Sequence, residues 1–231
     1  MQAVILAAGL GSRLGNLKGD KPKAFLQPKG LTQSLIERSI GILVSFGIVD
    51  IVIGTGYKSE YFENLKISGA HLSTCKNPLF DSSGSSQTLQ TLKDKIHEDF
   101  LLLESDLLYE KRAIQELLDD CRRDLILGSG RSDSGDEVYL EINQNQRLNA
   151  LSKDKTKLKS IDAELVGISK ISYESFLHFD FHSKDYEELL IGFEVLKIED
   201  LVWCEIDCKE HLERAEKSII PKLLNDKKGK K

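Results

Sequence analysis

Several short segments carry side chains suited to chemistry on phosphates. The first is Gly9-Leu10-Gly11-Ser12-Arg13, which closes an apolar run at residues 3–8. A buried strand feeding a glycine-rich turn suits a polyphosphate. Glycines let the backbone turn sharply and bring N–H groups against phosphate oxygens with no side chain between. Lys21-Pro22-Lys23 follows, and Lys23 stands ten residues after Arg13, so this end of the chain offers two full positive charges. Strand ends supply the opposite sign. The apolar run at 99–103 ends in Glu104-Ser105-Asp106, and Trp203-Cys204-Glu205-Ile206-Asp207 ends in a second carboxylate. A carboxylate such as Asp106 at the carboxyl end of a strand, beside a polyphosphate, is the expected Mg²⁺ ligand, because Mg²⁺ takes oxygens from one or two carboxylates together with phosphates.

Bringing these groups together needs strands and helices in alternation. Residues 30–46 read as the first long helix, with Leu35, Ile36, Ile40, Leu43 and Val44 on one face and Gly47 as its stop. Residues 48–55 form a β-branched buried strand, 60–65 a short helix and 71–75 a further strand. That order predicts an α/β fold: a Rossmann-like, doubly wound mixed sheet, mainly parallel and right-handed. A polar, turn-rich stretch at 77–86 enters a helix carrying Leu89, Leu92 and Ile96. An amphipathic helix at 110–121 and a strand at 125–129 come next. Residues 136–142 and 147–152 flank Asn143-Gln144-Asn145-Gln146 and predict a small antiparallel hairpin insertion. A strand at 164–171 continues the sheet, with short helices at 172–179 and 183–191. The last strand is 201–207, and the helix after it, 209–220, is disturbed by Pro221.

Bulk properties narrow the function. A chain of 231 residues with 40% apolar side chains buries a full core, and its formal charge of −5 argues against a general nucleic-acid binder. No apolar run approaches a membrane span, and the N-terminus lacks the marks of a secretory signal, so a cytoplasmic protein is expected. Cys75, Cys121, Cys204 and Cys208 fit no zinc spacing and are read as reduced thiols. His178 and His182 on a loop are not read as metal ligands.

The N-terminal segment resembles the signature of the nucleotidyltransferases that make sugar nucleotides and CDP-alcohols. The resemblance implies that the strand and loop, with Leu6, Ala8, Gly9 and Gly11, wrap an NTP, and that Arg13 and Lys23 hold its phosphates. It assigns base recognition to Gly84, Ser85 and Thr88, with CTP as the nucleotide, and metal binding to Asp106, with Ser105 where the family usually has glycine. Trp203-Cys204-Glu205-Ile206-Asp207, followed by Glu210-His211-Leu212-Glu213-Arg214-Ala215, is similar to the C-terminal signature of bacterial cytidylyltransferases acting on phosphocholine and 2-aminoethylphosphonate. That likeness implies a second Mg²⁺ carboxylate at Asp207. A lysine reaching the acceptor's phosphate carries to Lys153. On this reading 1–224 is one domain, with an NTP-binding part at about 1–125 and an acceptor-binding part at about 126–200. Residues 225–231 are a basic tail or the start of a linker to further domains, through which the chain is fused or dimerises.

The implied reaction is in-line attack of a phosphate or phosphonate on the α-phosphorus of CTP, with pyrophosphate leaving. A phosphate monoester has a second pKa of about 6, so no general base is required. The acceptor's far end is expected to be cationic. Asp133 and Asp136 on one loop and Asp185 and Glu187 on a later helix are carboxylates for it, with Tyr139, Tyr186 and Trp203 as cation–π partners. Three N–H donors on a primary ammonium want carboxylates, whereas a trimethylammonium wants an aromatic cage. Acidic loops and only 7% aromatics favour 2-aminoethylphosphonate, with phosphocholine the alternative. A hexose 1-phosphate enzyme and a nucleotide-binding module without catalysis are the rival readings. A Rossmann dehydrogenase is excluded, because position 14 is Leu where its third glycine would stand.

Overall fold

The computed structural model describes residues 1–132 and 134–225. Its strands are β1 (Gln2–Ala7), β2 (Asp50–Thr55), β3 (His71–Lys76), β4 (Phe100–Glu104), β5 (Leu107–Tyr109), β6 (Leu125–Ser129), β7 (Tyr139–Ile142), β8 (Leu148–Ser152), β9 (Ala163–Ile171), β10 (Glu194–Ile198) and β11 (Trp203–Glu205). The α-helices are α1 (Leu35–Ser45), α2 (Glu60–Glu63), α3 (Ser85–Gln90), α4 (Arg112–Asp119), α5 (Tyr173–Leu177), α6 (Lys209–Arg214) and α7 (Ile220–Asn225).

The main sheet runs β10-β6-β9-β4-β1-β2-β3, and the β7–β8 hairpin joins it through β9. Pairs β1–β2, β1–β4, β2–β3 and β6–β10 are parallel, while β9 is antiparallel to both β4 and β6. The mixed, mainly parallel sheet with an antiparallel hairpin is the architecture expected from sequence. Its central strands are apolar on both faces because helices cover both: β1 and β9 are buried end to end. Ile5, Ile36, Ile40 and Leu103 pack on one face, and Val4, Leu89, Leu92 and Leu102 on the other.

The chain from β1 runs out to β2 and β3 on one side, then crosses to β4 on the other. This reversal makes the carboxyl ends of β1 and β4 a topological switch point, where open α/β sheets bind ligands.

Some boundaries differ from expectation. Helix α1 starts after Ser34, not at Gly30, because Ser34 and Glu37 form a reciprocal capping box. Gly47 does end it, at φ +79°. Strand β10 was not anticipated. The segment ending in Asp207 does not join the main sheet: β11 pairs antiparallel with β5 in a sheet of two strands. The residues read as a helix at 183–191 form a 3₁₀ turn, Tyr186–Leu190. Pro221 does not end the last helix, which runs to Asn225. A π turn over Ala215–Ile219 precedes the proline and lets the helix pass through it. The rest of the expected tail, 226–231, lies outside the described residues. Among the described residues no helix is long and apolar enough to cross a membrane.

Candidate active site

Each charged group named above is set by a neighbouring element. Strands β1 and β4 are in register from Gln2↔Phe100 to Leu6↔Glu104, so the glycine loop after β1 and the Glu104-Ser105-Asp106 turn after β4 leave the sheet side by side. Pro22 holds an extended backbone ahead of a 3₁₀ turn, Lys23–Phe25. That turn is anchored by buried Ala24 and by Phe25, whose ring meets Tyr61 and Phe62 at centroid distances of 5.6 and 5.0 Å. Gly11 sits at φ +60°, where an added Cβ would lie 3.0 Å from Lys23 Cβ; the loop therefore closes directly on the lysine. Asp207 is brought in by the two-stranded sheet, since β5 begins at the residue after Asp106 and Ile206 N–H donates to the Asp106 carbonyl at 3.1 Å.

The result is a charge cluster at the switch point. Lys23 Nζ donates to the carboxylates of both Asp106 and Asp207. Burial works against the ammonium, but the charges of Asp106 and Asp207 outweigh it and raise its pKa. Arg13 meets Asp207 at 3.0 Å and Asp136 at 2.6 Å, and Lys153 meets the other oxygen of Asp136 at 2.6 Å. Burial tends to raise the Asp136 carboxyl, but the hydrogen bonds from Lys153 and Arg13 hold it below its ordinary value.

A cleft of about 250 Å³ opens beside this cluster. Leu6, Ala8, Gly9, Gly84, Ser85 and Thr88 line it, together with Lys23 and Asp106. These are the nucleotide residues expected from sequence, except that Gly11 lies beneath Lys23 and outside the lining. Two of the hydroxyls are engaged by the protein. Ser85 Oγ accepts from Tyr186 N–H at 2.9 Å, and buried Thr88 accepts from Asn77 Nδ2 at 3.0 Å. They shape the wall through those bonds. Gly84 is held against the backbone before Tyr186, where a Cβ would fall 1.9 Å from the Lys184 carbonyl oxygen. Gly84→Ala must therefore push two backbone segments apart. We expect it to cost about 1–3 kcal/mol of stability and to weaken nucleotide binding several-fold, read by urea melts and nucleotide titration. An unchanged melt would show that the seam is not closed in solution.

A second cavity, about 180 Å³, lies across Lys23 and Asp106 from the cleft and is strongly acidic. Glu104, Glu137, Glu164, Glu187 and Glu205 line it together with Trp203. Burial, and then Asp106 and Asp207, push the Glu205 carboxyl up to about 8. Burial and the Asp106 charge put Glu104 well above its usual range. Gly167, at φ +79° in the middle of β9, leaves room for Glu104: a Cβ there would meet its carboxylate at 3.0–3.3 Å.

The acceptor residues expected from sequence fare unevenly. Lys153 and Glu187 line the acidic cavity, but the Asp136 carboxylate is already claimed by two cations. Tyr186 is buried in the wall of the first cleft and donates to Glu104 at 2.8 Å. Tyr139 donates to Glu137 at 3.0 Å, and the Lys155 ammonium lies 4.7 Å from its ring centroid. Trp203 stays at the cavity, with its Nε1–H donating to Ser129 at 2.8 Å. Asp185 is exposed, and Asp133 lies outside the described residues.

Glu104 and Glu205 were not singled out from sequence. Each stands two residues before an anticipated aspartate, the spacing that keeps side chains on one side of an extended chain. Oxygens of Glu104, Asp106 and Glu205 lie within 4.8 Å of one another, as do ligand atoms of Glu205, Asp207 and His211. A set dominated by hard carboxylate oxygens fits Mg²⁺.

The family model for the MobA-like NTP transferase domain matches residues 3–167. A CMP-5'-(3-aminopropyl)phosphonate synthase of Streptomyces rubellomurinus is 27% identical over 120 residues, which is 51% of this chain and 19% of that protein; the chain thus spans about a fifth of its length. A CTP:phosphoglutamine cytidylyltransferase of Campylobacter jejuni is 26% identical, with 92% of this chain and 98% of that one covered. The solved structure of CTP:phosphocholine cytidylyltransferase from Streptococcus pneumoniae superimposes with a TM-score of 0.72 at 22% identity, covering 93% and 97% of the two chains.

Proposed function

The chain belongs to the MobA-like NTP transferase domain family, and from that membership we propose that it is a cytidylyltransferase. It joins CMP from CTP to a small amino-bearing phosphonate or phosphate, 2-aminoethylphosphonate in the first instance, and releases pyrophosphate. The observation that carries this reading is the Lys23 ammonium, fixed between Asp106 and Asp207 at the boundary of the nucleotide cleft and the acidic cavity. CTP is supported by relatives named for CTP or CMP chemistry, one of them covering nearly the whole chain.

In this scheme the loop around Gly9 and Gly11 receives the triphosphate, and Arg13 and Lys23 stabilise charge on it and on the departing pyrophosphate. Asp106 and Asp207, with Glu205 alongside, would hold Mg²⁺, whose charge offsets the repulsion between two phosphate groups. Lys153 neutralises the acceptor's phosphate. No side chain need remove a proton, because the nucleophilic oxygen is already ionised near neutral pH.

The acidic cavity supports a cationic acceptor and favours a primary ammonium. Its walls offer carboxylates to N–H donors, while Tyr139 is capped by Lys155 and Tyr186 faces the nucleotide side, leaving Trp203 alone of the three rings. Phosphocholine, which needs a cage of rings, is the alternative.

The test is pyrophosphate release with Mg²⁺, crossing CTP, UTP, GTP and ATP with 2-aminoethylphosphonate, phosphocholine, phosphoethanolamine and glucose 1-phosphate. CTP-dependent release with an amino-bearing acceptor is expected. Faster turnover of glucose 1-phosphate would move the protein to sugar-nucleotide synthesis and remove the role given to the acidic cavity.

A further inference from the structure

Asp136 occupies an unusual position for a residue in an acceptor loop. One of its oxygens is 2.6 Å from Arg13 Nη1 and the other is 2.6 Å from Lys153 Nζ. These two cations stand on opposite sides of the reaction, one assigned to the nucleotide's phosphates and one to the acceptor's. A single carboxylate thus holds both where two anionic ligands must later sit. We propose that Asp136 is a placeholder for substrate phosphate: it joins Arg13 to Lys153 in the ligand-free protein, and its release by either ligand prepares the site for the other. The proposal rests on the roles given to Arg13 and Lys153 under Proposed function.

The arrangement suits an exchange. Arg13 and Lys153 are 54% and 58% exposed, so their ion pairs are weak and open to competition, whereas Asp136 is only 18% exposed. A polyphosphate brings more charge and more acceptor oxygens than one carboxylate and wins Arg13 from it. Asp136 is then left partly buried with one cation too few. It follows Gly135 at φ +91°, a joint that lets the loop swing. Once Asp136 leaves, Lys153 is free for the acceptor. The same argument holds in reverse, so each ligand raises the other's affinity by one common factor. The coupling also discriminates: an acceptor that brings no anion to Lys153 gains nothing from bound nucleotide.

Calorimetry with inorganic triphosphate and inorganic phosphate tests this without assuming a base or an acceptor. In the wild-type protein we expect phosphate to bind several-fold more tightly when triphosphate is present. In Asp136→Asn, which keeps the shape and removes the charge, each ligand alone should bind several-fold more tightly and the synergy should vanish. Asp136→Glu should restore it. A residue that merely holds the cations in place would behave oppositely, with Asp136→Asn weakening both ligands and leaving the synergy intact, and that result would overturn the proposal. If no nucleotide and acceptor pair turns over while the exchange is still seen, the cytidylyltransferase reading fails and the placeholder stands.

Discussion

Replacing Lys23 by alanine should lower the rate of nucleotidyl transfer about 10²–10³-fold, the usual cost of removing one preorganised charge from a developing anion. The reason lies in what the ammonium touches. It is 17% exposed, and it faces Asp106 and Asp207, whose side chains are 7% and 14% exposed. Taking it away leaves two carboxylates opposed in a partly buried site. The cost of breaking a buried pair by removing one partner is about 3–5 kcal/mol, so the metal-free variant should also melt well below the wild-type protein. Mg²⁺ separates the two effects. Millimolar Mg²⁺ should stabilise Lys23→Ala more than the wild type, because the ion enters a site vacated by the ammonium, yet it should not restore the rate. Lys23→Arg should restore stability in part but not activity, since a planar guanidinium cannot stand between two carboxylates as a compact point charge does. Wild-type turnover in Lys23→Ala would remove Lys23 from the reaction altogether.

Much of this site was legible because its parts lie next to strong local signals. Gly9, Gly11 and Asp106 follow apolar strands, and the alternation of elements places the ends of β1 and β4 together. Harder to see was what depends on distant pairing. That β11 would pair with β5 rather than extend the main sheet is written in no local pattern, yet this pairing is what seats Asp207 beside Asp106. Other misses had a local cue. Ser34-Leu35-Ile36-Glu37 is a capping box and marks the start of α1 better than Gly30 does. Glu104 and Glu205 share the side of the chain held by the two aspartates. Asp136 reads from sequence as a carboxylate for the acceptor's cationic end, because sequence reports charge but not that Arg13 and Lys153 already pair with it. The same holds for Tyr139, whose face is taken by a lysine sixteen positions away in the chain.

Glu205 gives the second large effect, and its sign depends on what surrounds it. Burial and the charges of Asp106 and Asp207 carry its carboxyl from an ordinary 4.5 to about 8. Between those values the folded protein holds a proton on Glu205 that the unfolded chain has lost. The unfolded state then binds fewer protons, so this group's contribution to stability falls as pH rises, by up to about 1.4 kcal/mol per pH unit. The contribution is intact below pH 4.5 and is lost as pH passes through about 8. Glu205→Gln, which keeps the shape of the neutral acid, should match the metal-free wild type at pH 5 and exceed it at pH 8 by on the order of 3 kcal/mol, measured by urea melts in chelator. Protons on the cluster stand in for a missing cation here, so Mg²⁺ at pH 8 should recover much of the wild-type deficit and recover less in Glu205→Gln. Two metal-free pH profiles that run parallel from pH 5 to 9 would show that Glu205 is ionised throughout, and that the cluster is better hydrated than its burial implies.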